Sequence, residues 1–341
     1  MFSQPADLPE HAITAALADG WGFGPASLEY LPVGFGSHHW RAVSPAGDRL
    51  FVTVDDLVAK QRDEADSTGA VFGRLTQTFG AALSLRRDCG LDFVVAPIPA
   101  ATSTAAGGAV LRRLSDRYSL LVHAYLDAPA AGTDGDFADA ADRRAVVGLL
   151  ARLHQARPPV RPVTDDLAVP QAAALRAAVT ETDRPWRAGP YSERARVLLA
   201  THARSLTRLL GSYDQLAALV AARSDRFVVT HGEPHAANTL RTAAGLVFVD
   251  WDSALLAPPE RDLWALAESD PDVLTAYQAA SGTAVDAEAL TACRLWYDLF
   301  EIAGYIRWLR GPHEDTADTA EAWHNLELFL RPAERWPALS R

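Results

Sequence analysis

His231-Gly232-Glu233-Pro234-His235-Ala236-Ala237-Asn238, followed by Leu246-Val247-Phe248-Val249-Asp250-Trp251-Asp252, is the stretch on which the reading of this chain turns. Thr239 to Thr242 and Leu246 to Val249 flank Ala243-Ala244-Gly245, a pattern that predicts an antiparallel hairpin with a three-residue loop. A hairpin returns the chain to where it began. Asn238, just before the first strand, and Asp250, just after the second, are therefore expected side by side. An amide oxygen and a carboxylate at one hairpin mouth form a hard-oxygen site suited to Mg²⁺, which keeps several waters and takes few protein ligands. Glu233 lies five residues ahead of Asn238, in the loop entering that mouth. A carboxylate there can orient or deprotonate an attacking hydroxyl. Taken singly, each residue has an ordinary structural explanation: a turn for Asn238, a cap for Asp250, a solvated charge for Glu233, hydrogen-bonded histidines at His231 and His235. Their order and spacing together point to chemistry.

The first third of the chain alternates β-rich runs with turn signals. Leu28 to Val33, His39 to Val43 and Arg49 to Val54 read as strands. Gly34-Phe35-Gly36-Ser37 and Ser44-Pro45-Ala46-Gly47-Asp48 read as the turns between them. Gln61 to Asp88 has helical spacing, with Ala65, Val71, Leu75, Phe79, Leu83 and Leu85 as its apolar stripe. Phe93 to Val95, Ala109 to Leu114 and Tyr118 to Tyr125 complete the expected antiparallel sheet. After Leu126-Asp127-Ala128-Pro129 helices dominate: Arg143 to Ala156, Ala172 to Thr182, Ser192 to Leu210, Tyr213 to Arg223, Ala287 to Leu309 and Thr316 to Leu330. The expected class is α+β and bilobal, with a small antiparallel-sheet lobe over residues 1–126 and a larger, mostly helical lobe over 127–341.

At 341 residues the chain is too long for one ordinary core. Its 49% hydrophobic and 22% charged residues are those of a folded protein, not a disordered one. The net charge of -11 argues against nucleic acid, whose binding needs basic patches, and is compatible with a cationic small molecule. The two cysteines, Cys89 and Cys293, stand far apart and offer no disulfide framework or zinc spacing. Neither a basic, apolar leader nor a membrane-length apolar run is visible, so a cytoplasmic protein is expected. Lys60 is the only lysine.

The stretch beginning at His231 is similar to the protein-kinase catalytic loop and metal-binding Asp. It looks more like the aminoglycoside-phosphotransferase version, His-Gly-Asp-x-His-x-x-Asn followed by Asp-Trp-Asp/Glu. Ala257-Pro258-Pro259-Glu260-Arg261-Asp262-Leu263 resembles the spectinomycin-phosphotransferase branch, and Leu150-Ala151-Arg152-Leu153-His154 resembles a helix of the same family. The resemblance implies transfer of a phosphoryl group from a magnesium-bound ATP or GTP to a hydroxyl of a small molecule, such as an aminocyclitol or aminoglycoside, a sugar, a nucleoside or an amino alcohol. Glu233 would be the base, Asn238 and Asp250 the Mg²⁺ ligands, and Asp252 would lie near a second metal or the metal waters. Asp262 would brace the loop. Gly34, Gly36 and Ser37 would cover the phosphates, with glycine permitting close backbone approach; a plain hairpin turn uses the same residues. The base would sit near His123 to Leu126. Asp298 and Glu301, beside Trp296 and Tyr297, are read either as acceptor contacts or as two surface acids on an amphipathic core helix.

Two departures stand out. Glu233 occupies the place of an Asp, which keeps the charge but displaces the carboxylate by about a bond length. Thr53 occupies the place of the strand lysine that would meet the nucleotide phosphates, and Glu64, expected in the first helix, then lacks its ion-pair partner. Lys60 can substitute only if its segment folds back, and Arg41 is a second candidate. The simpler expectation for both is a solvated surface cation. These departures motivate a second reading, a nucleotide- or metabolite-binding protein without turnover.

Overall fold

The computed structural model describes residues 1–101, 109–133, 136–331 and 335–336. The helix α1 (Glu10–Trp21) precedes the sheet. Strands β1 (Ser27–Leu31), β2 (Ser37–Val43) and β3 (Arg49–Asp56) form an antiparallel meander, and α2 (Thr68–Arg87) follows. Then come β4 (Arg112–Arg113) and β5 (Tyr118–Ala124), which close a five-stranded sheet of order β1-β2-β3-β5-β4. Alternation along the strands sorts their two faces. Trp40, Ala42, Val52, Val54, Leu120 and Val122 meet Ile13 and Leu17 of α1 on one side. Leu57 and Leu121 pack with Val71, Leu75 and Phe79 of α2 on the other. The sheet is thus a middle layer between two helices.

The second lobe is built from α3 (Ala140–Gln155), α4 (Ala172–Thr180), α5 (Ser192–Ala221), α6 (Trp264–Ser269), α7 (Asp272–Ser281), α8 (Ala287–Arg310) and α9 (Ala317–Phe329). Between α5 and α6 lie β6 (Val228–Thr230), the hairpin β7 (Thr239–Thr242) and β8 (Gly245–Phe248), and β9 (Leu255–Ala257), which pairs with β6. The long helices α5 and α8 pack against α9 around Leu199, Leu206, Leu299, Ile302 and Leu326. A separate apolar cluster joins the end of α2 (Ala82, Leu85) and Phe93 to α3 and to Phe248 and Trp251, tying the two lobes together behind the hairpin. Among the described residues no helix is long and apolar enough to cross a membrane.

Several boundaries differ from the sequence expectation. Helix α2 begins at Thr68, not Gln61, because the Ser67 hydroxyl caps it by accepting from the Ala70 amide. Ala65 and Glu64 therefore lie in a turn before the helix. Phe93 to Val95 does not join the sheet; it bridges to Phe248 of the hairpin, where its carbonyl and amide find partners. Only Arg112–Arg113 of the run 109–114 is strand. Ser192 to Arg223 is not two helices but α5, continuous through Gly211, plus a short tail. The hairpin loop holds two residues, Ala243 and Ala244, since Thr242 pairs directly with Gly245. The Thr242 hydroxyl stitches that turn by donating to the Gly245 carbonyl and accepting from the Ala244 amide.

Candidate active site

The loop from His231 to Asn238 is held from below by one carboxylate. Asp262 accepts from the backbone amides of His231 (2.8 Å) and Gly232 (2.6 Å). It also accepts from Nε2 of His154, at the end of α3, at 3.0 Å. The other nitrogen of His154 accepts from the Tyr277 hydroxyl at 2.7 Å. Burial pushes the Asp262 carboxyl up, but the His154 hydrogen bond and nearby positive charge outweigh it and hold the group below its ordinary range. Asp262 sits in a short turn directly ahead of α6, in the bracing position expected of it.

His231 is fully buried and neutral. Its Nε2–H donates to the Val249 carbonyl at 2.8 Å, and its Nδ1 accepts from the Glu233 amide at 3.3 Å. Burial pushes its pKa down to about 4. Gly232 has φ 103°, and a Cβ there would lie 2.4 Å from the Arg261 guanidinium, so close approach and backbone sign both require glycine. That guanidinium donates to the Thr230 hydroxyl and the Ser253 carbonyl, linking the two ends of the site.

The hairpin delivers the expected juxtaposition. The Val249 amide donates to the Asn238 carbonyl at 3.0 Å, so Asn238 and Asp250 flank the open end of β7–β8. Nδ2 of Asn238 is committed to the Glu233 carbonyl and to Nε2 of His235, both at 3.2 Å, which turns Oδ1 away from them. Asp250 takes a left-handed φ of 63°, uncommon but tolerated by Asp, and this re-aims the chain as it leaves the strand. Burial, then the neighbouring Asp252 and Glu233, raise its carboxyl well above the ordinary range. Burial, then Asp252 and Glu301, push Glu233 up to about 7.

The structure corrects the expectation for Lys60. Far from being a surface cation, it folds back and places its ammonium 2.6 Å from Asp252 Oδ2 and 3.3 Å from Asp55 Oδ1. Burial alone would lower its pKa, but Asp252 and Asp55 reverse this and raise it, so the ammonium stays charged. Asp252 is held ionised in return, Lys60 overcoming the cost of its burial. Arg41 does lie apart from the site, paired with Glu29.

Of the remaining expected residues, Gly34 and Gly36 both take positive φ in the β1–β2 loop. The Ser37 hydroxyl donates to Asp55 at 2.7 Å. Thr53 faces the same side of β3 as Asp55, and its hydroxyl lies 3.2 Å from Nδ1 of His39. His123 stands opposite Phe51 near the end of β5, and burial lowers its pKa to about 4. Asp298 is neither an acceptor contact nor a surface acid: it is fully buried and holds Arg335 and the Trp336 indole, the latter 2.6 Å away. Glu301, one turn on, lies near Glu233 and beside Tyr305; burial pushes it up to about 6. Asp55 went unnoticed in the sequence, where only the period-two alternation of β3 could have placed it on the Thr53 face.

The model of the family described as "Phosphotransferase enzyme family" matches residues 55–296. Protein StrN of Streptomyces griseus is 30% identical over 261 residues, covering 72% of this chain and 74% of that protein. Among solved structures, spectinomycin phosphotransferase in complex with ADP and spectinomycin superposes with a TM-score of 0.69 at 15% identity, covering 97% of this chain and 100% of that one. Choline kinase LicA from Streptococcus pneumoniae gives 0.58 at 15% identity, covering 94% and 98%. At such identities the structures establish a shared bilobal, protein-kinase-like fold. With the family match and the Streptomyces relative, the chain belongs to the phosphotransferase enzyme family.

Proposed function

We propose that this enzyme transfers the γ-phosphoryl group of a magnesium-bound ATP or GTP to a hydroxyl of a small molecule of the aminocyclitol or aminoglycoside kind. The observation that carries this reading is the convergence of Glu233, Asn238, Asp250 and Asp252 at the hairpin mouth, fixed by Asp262. Similarity of fold to an enzyme solved with ADP and spectinomycin supports the substrate class.

The donors present fit a magnesium ion. Four carboxylates, of Asp55, Asp250, Asp252 and Glu233, face a single ammonium. Burial first, and then that imbalance, raises the Asp250 carboxyl, and a divalent cation would relieve the crowding. Among the described residues no three His, Cys, Asp or Glu side chains gather into a ready-made metal site. A Mg²⁺ ion that keeps most of its waters needs only one or two protein carboxylates. Asp250 and Oδ1 of Asn238 would hold it, with Asp252 nearby. When bound, it would neutralise charge on the phosphate oxygens. Glu233 would accept the proton of the acceptor hydroxyl. A carboxylate with a pKa near 7 is a far better match to that task at neutral pH than an ordinary one. The β1–β2 loop would cover the phosphates, the nucleobase would sit near His123, and residues 1–126 and 127–341 would divide nucleotide from acceptor binding.

The test is thermal unfolding with ATP or GTP, each with and without Mg²⁺, followed by a hydroxyl-acceptor panel with the preferred nucleotide. A ligand at a hundred times its Kd should add about 2.7 kcal/mol of stability. We expect a Mg²⁺-dependent shift that Asp250→Ala abolishes, and acceptor-dependent release of nucleoside diphosphate. An unchanged shift in Asp250→Ala would overturn the metal assignment. Binding without phosphoryl transfer to any acceptor would favour the non-catalytic reading.

A further inference from the structure

The β3–α2 segment makes contacts that the roles given above do not explain. After β3 the chain turns sharply: Asp56 Oδ1 accepts from the Val58 and Ala59 amides at 2.9 and 3.2 Å, and the Lys60 amide donates to the Asp56 carbonyl at 3.1 Å. Arg117 fixes Asp56 at 2.7 Å. The segment is also fastened to the helical lobe. Arg307 of α8 donates to the carbonyls of Ala59 (3.3 Å) and Val58 (3.4 Å). The Gln171 side chain donates to the Gln61 carbonyl, and its amide to the Arg62 carbonyl, both at 2.7 Å.

These anchors aim one side chain. Ser37 of the glycine loop donates to Asp55 Oδ1, the same oxygen faces the Lys60 ammonium, and that ammonium reaches Asp252. A continuous polar chain therefore runs from the phosphate-covering loop to the hairpin mouth, with the chain's only lysine at its centre. The other oxygen of Asp55 is buried without a hydrogen-bond partner. Burying an ammonium among acids for stability alone is a poor bargain, since matched apolar groups do as well or better. A cation held between the glycine loop and the metal ligands has a second use.

We propose that Lys60 is the residue that contacts the nucleotide phosphates, supplied from the β3–α2 loop in place of the strand lysine that Thr53 lacks, with Asp55 positioning it. The proposal rests on the phosphotransferase reading of the site. An ammonium has three donors, so it can serve Asp252, Asp55 and a phosphate oxygen together. Because its segment is fixed to α8 as well as to the sheet, the cation keeps its register with Asp250 and Asn238. It also removes one motive for reading the protein as inactive.

The experiment is equilibrium binding by calorimetry, in Mg²⁺ buffer, of ATP against adenosine and GTP against guanosine. The proteins compared are the unmodified enzyme, Lys60→Met and Lys60→Arg. A lost charge-assisted hydrogen bond should weaken triphosphate binding by about ten- to a hundredfold. Nucleoside affinity should change less than about threefold, and Lys60→Arg should recover part of the loss. Parallel loss for nucleoside and nucleotide would mean that Lys60 is only a latch between the lobes, and unchanged ATP binding would overturn the proposal outright. Should Lys60→Met fail to fold, Lys60→Met with Asp55→Asn removes the stranded carboxylate and permits the same comparison. If the unmodified enzyme binds no nucleotide, the site reading itself falls and the proposal with it.

Discussion

At the scale of single residues, the site gathers carboxyls that burial and one another's charge disfavour. Glu233 replaces the shorter acid of related catalytic loops, and its backbone is held by His231 while its carboxyl faces Asp252 and Glu301. Glu233→Gln keeps the shape and removes the proposed base. It should leave nucleotide binding intact and cut kcat by about 10²–10⁴; normal turnover would show that another group takes the proton. Gly232 makes a different argument. Gly232→Ala would drive a methyl into the Arg261 guanidinium and force a left-handed alanine, two costs of the kind that sum to a few kcal/mol. We expect a clear fall in urea midpoint, with the Thr230 and Ser253 contacts of Arg261 lost. A variant as stable as the parent would mean that the loop shifts freely, contrary to its two anchors on Asp262.

Elements were legible in proportion to how local their causes are. The β1–β2–β3 meander and the β7–β8 hairpin were readable because alternation and turn residues sit side by side in the sequence. The expected pairing of Asn238 with Asp250 follows from that hairpin alone. Phe93 to Val95 reads as a sheet strand because any apolar β-like run fits one, and only the fold shows that its partner is Phe248. Helix α1 carries its own signals, Pro9 before it and Gly22 in the left-handed conformation after it, yet its apolar positions are few. Lys60 was unreadable for a stronger reason. Its distance from the hairpin closes through the Asp56 turn together with contacts remote in sequence, those of Gln171 and those of Arg307, which join residues about 250 apart. The break expected between Leu210 and Tyr213 falls at Gly211, whose helix penalty is real but is overridden by packing of α5 on α8 and α9. A Cβ at Gly211 meets nothing within 4 Å. Gly211→Ala should therefore stabilise the protein by about 0.5–1 kcal/mol in urea unfolding without altering nucleotide binding. A destabilised variant would show that the helix is bent or strained there.

For the molecule as a whole, the site leaves a signature in the pH dependence of stability. Two buried groups pull in opposite directions. His231 has its pKa lowered from 6.5 to about 4, so the unfolded chain takes up a proton that the folded one refuses. Its contribution is present above about pH 6.5 and is lost as pH falls toward 4. Glu233 is raised from 4.5 to about 7, so the folded chain holds a proton that the unfolded one has released. That contribution is present below about 4.5 and is lost as pH rises through 7, leaving an ionised, crowded carboxylate above it. The penalty is up to about 3 kcal/mol, reduced where solvent in the cleft screens the charge. Between pH 5 and 8 the two slopes largely offset, so the parent's own curve is a blunt instrument. The difference between parent and Glu233→Gln is sharp, because His231 is common to both. In EDTA, to keep divalent ions out of the site, the variant should match the parent near pH 5 and be more stable by about 1–3 kcal/mol at pH 8. A constant difference across that range would mean that Glu233 ionises as an ordinary surface acid. It would then lack the raised pKa that suits it to act as a base at neutral pH. A growing difference would show the folded protein giving up stability at the residue proposed to take the proton, as expected where an active site is held against its own electrostatics.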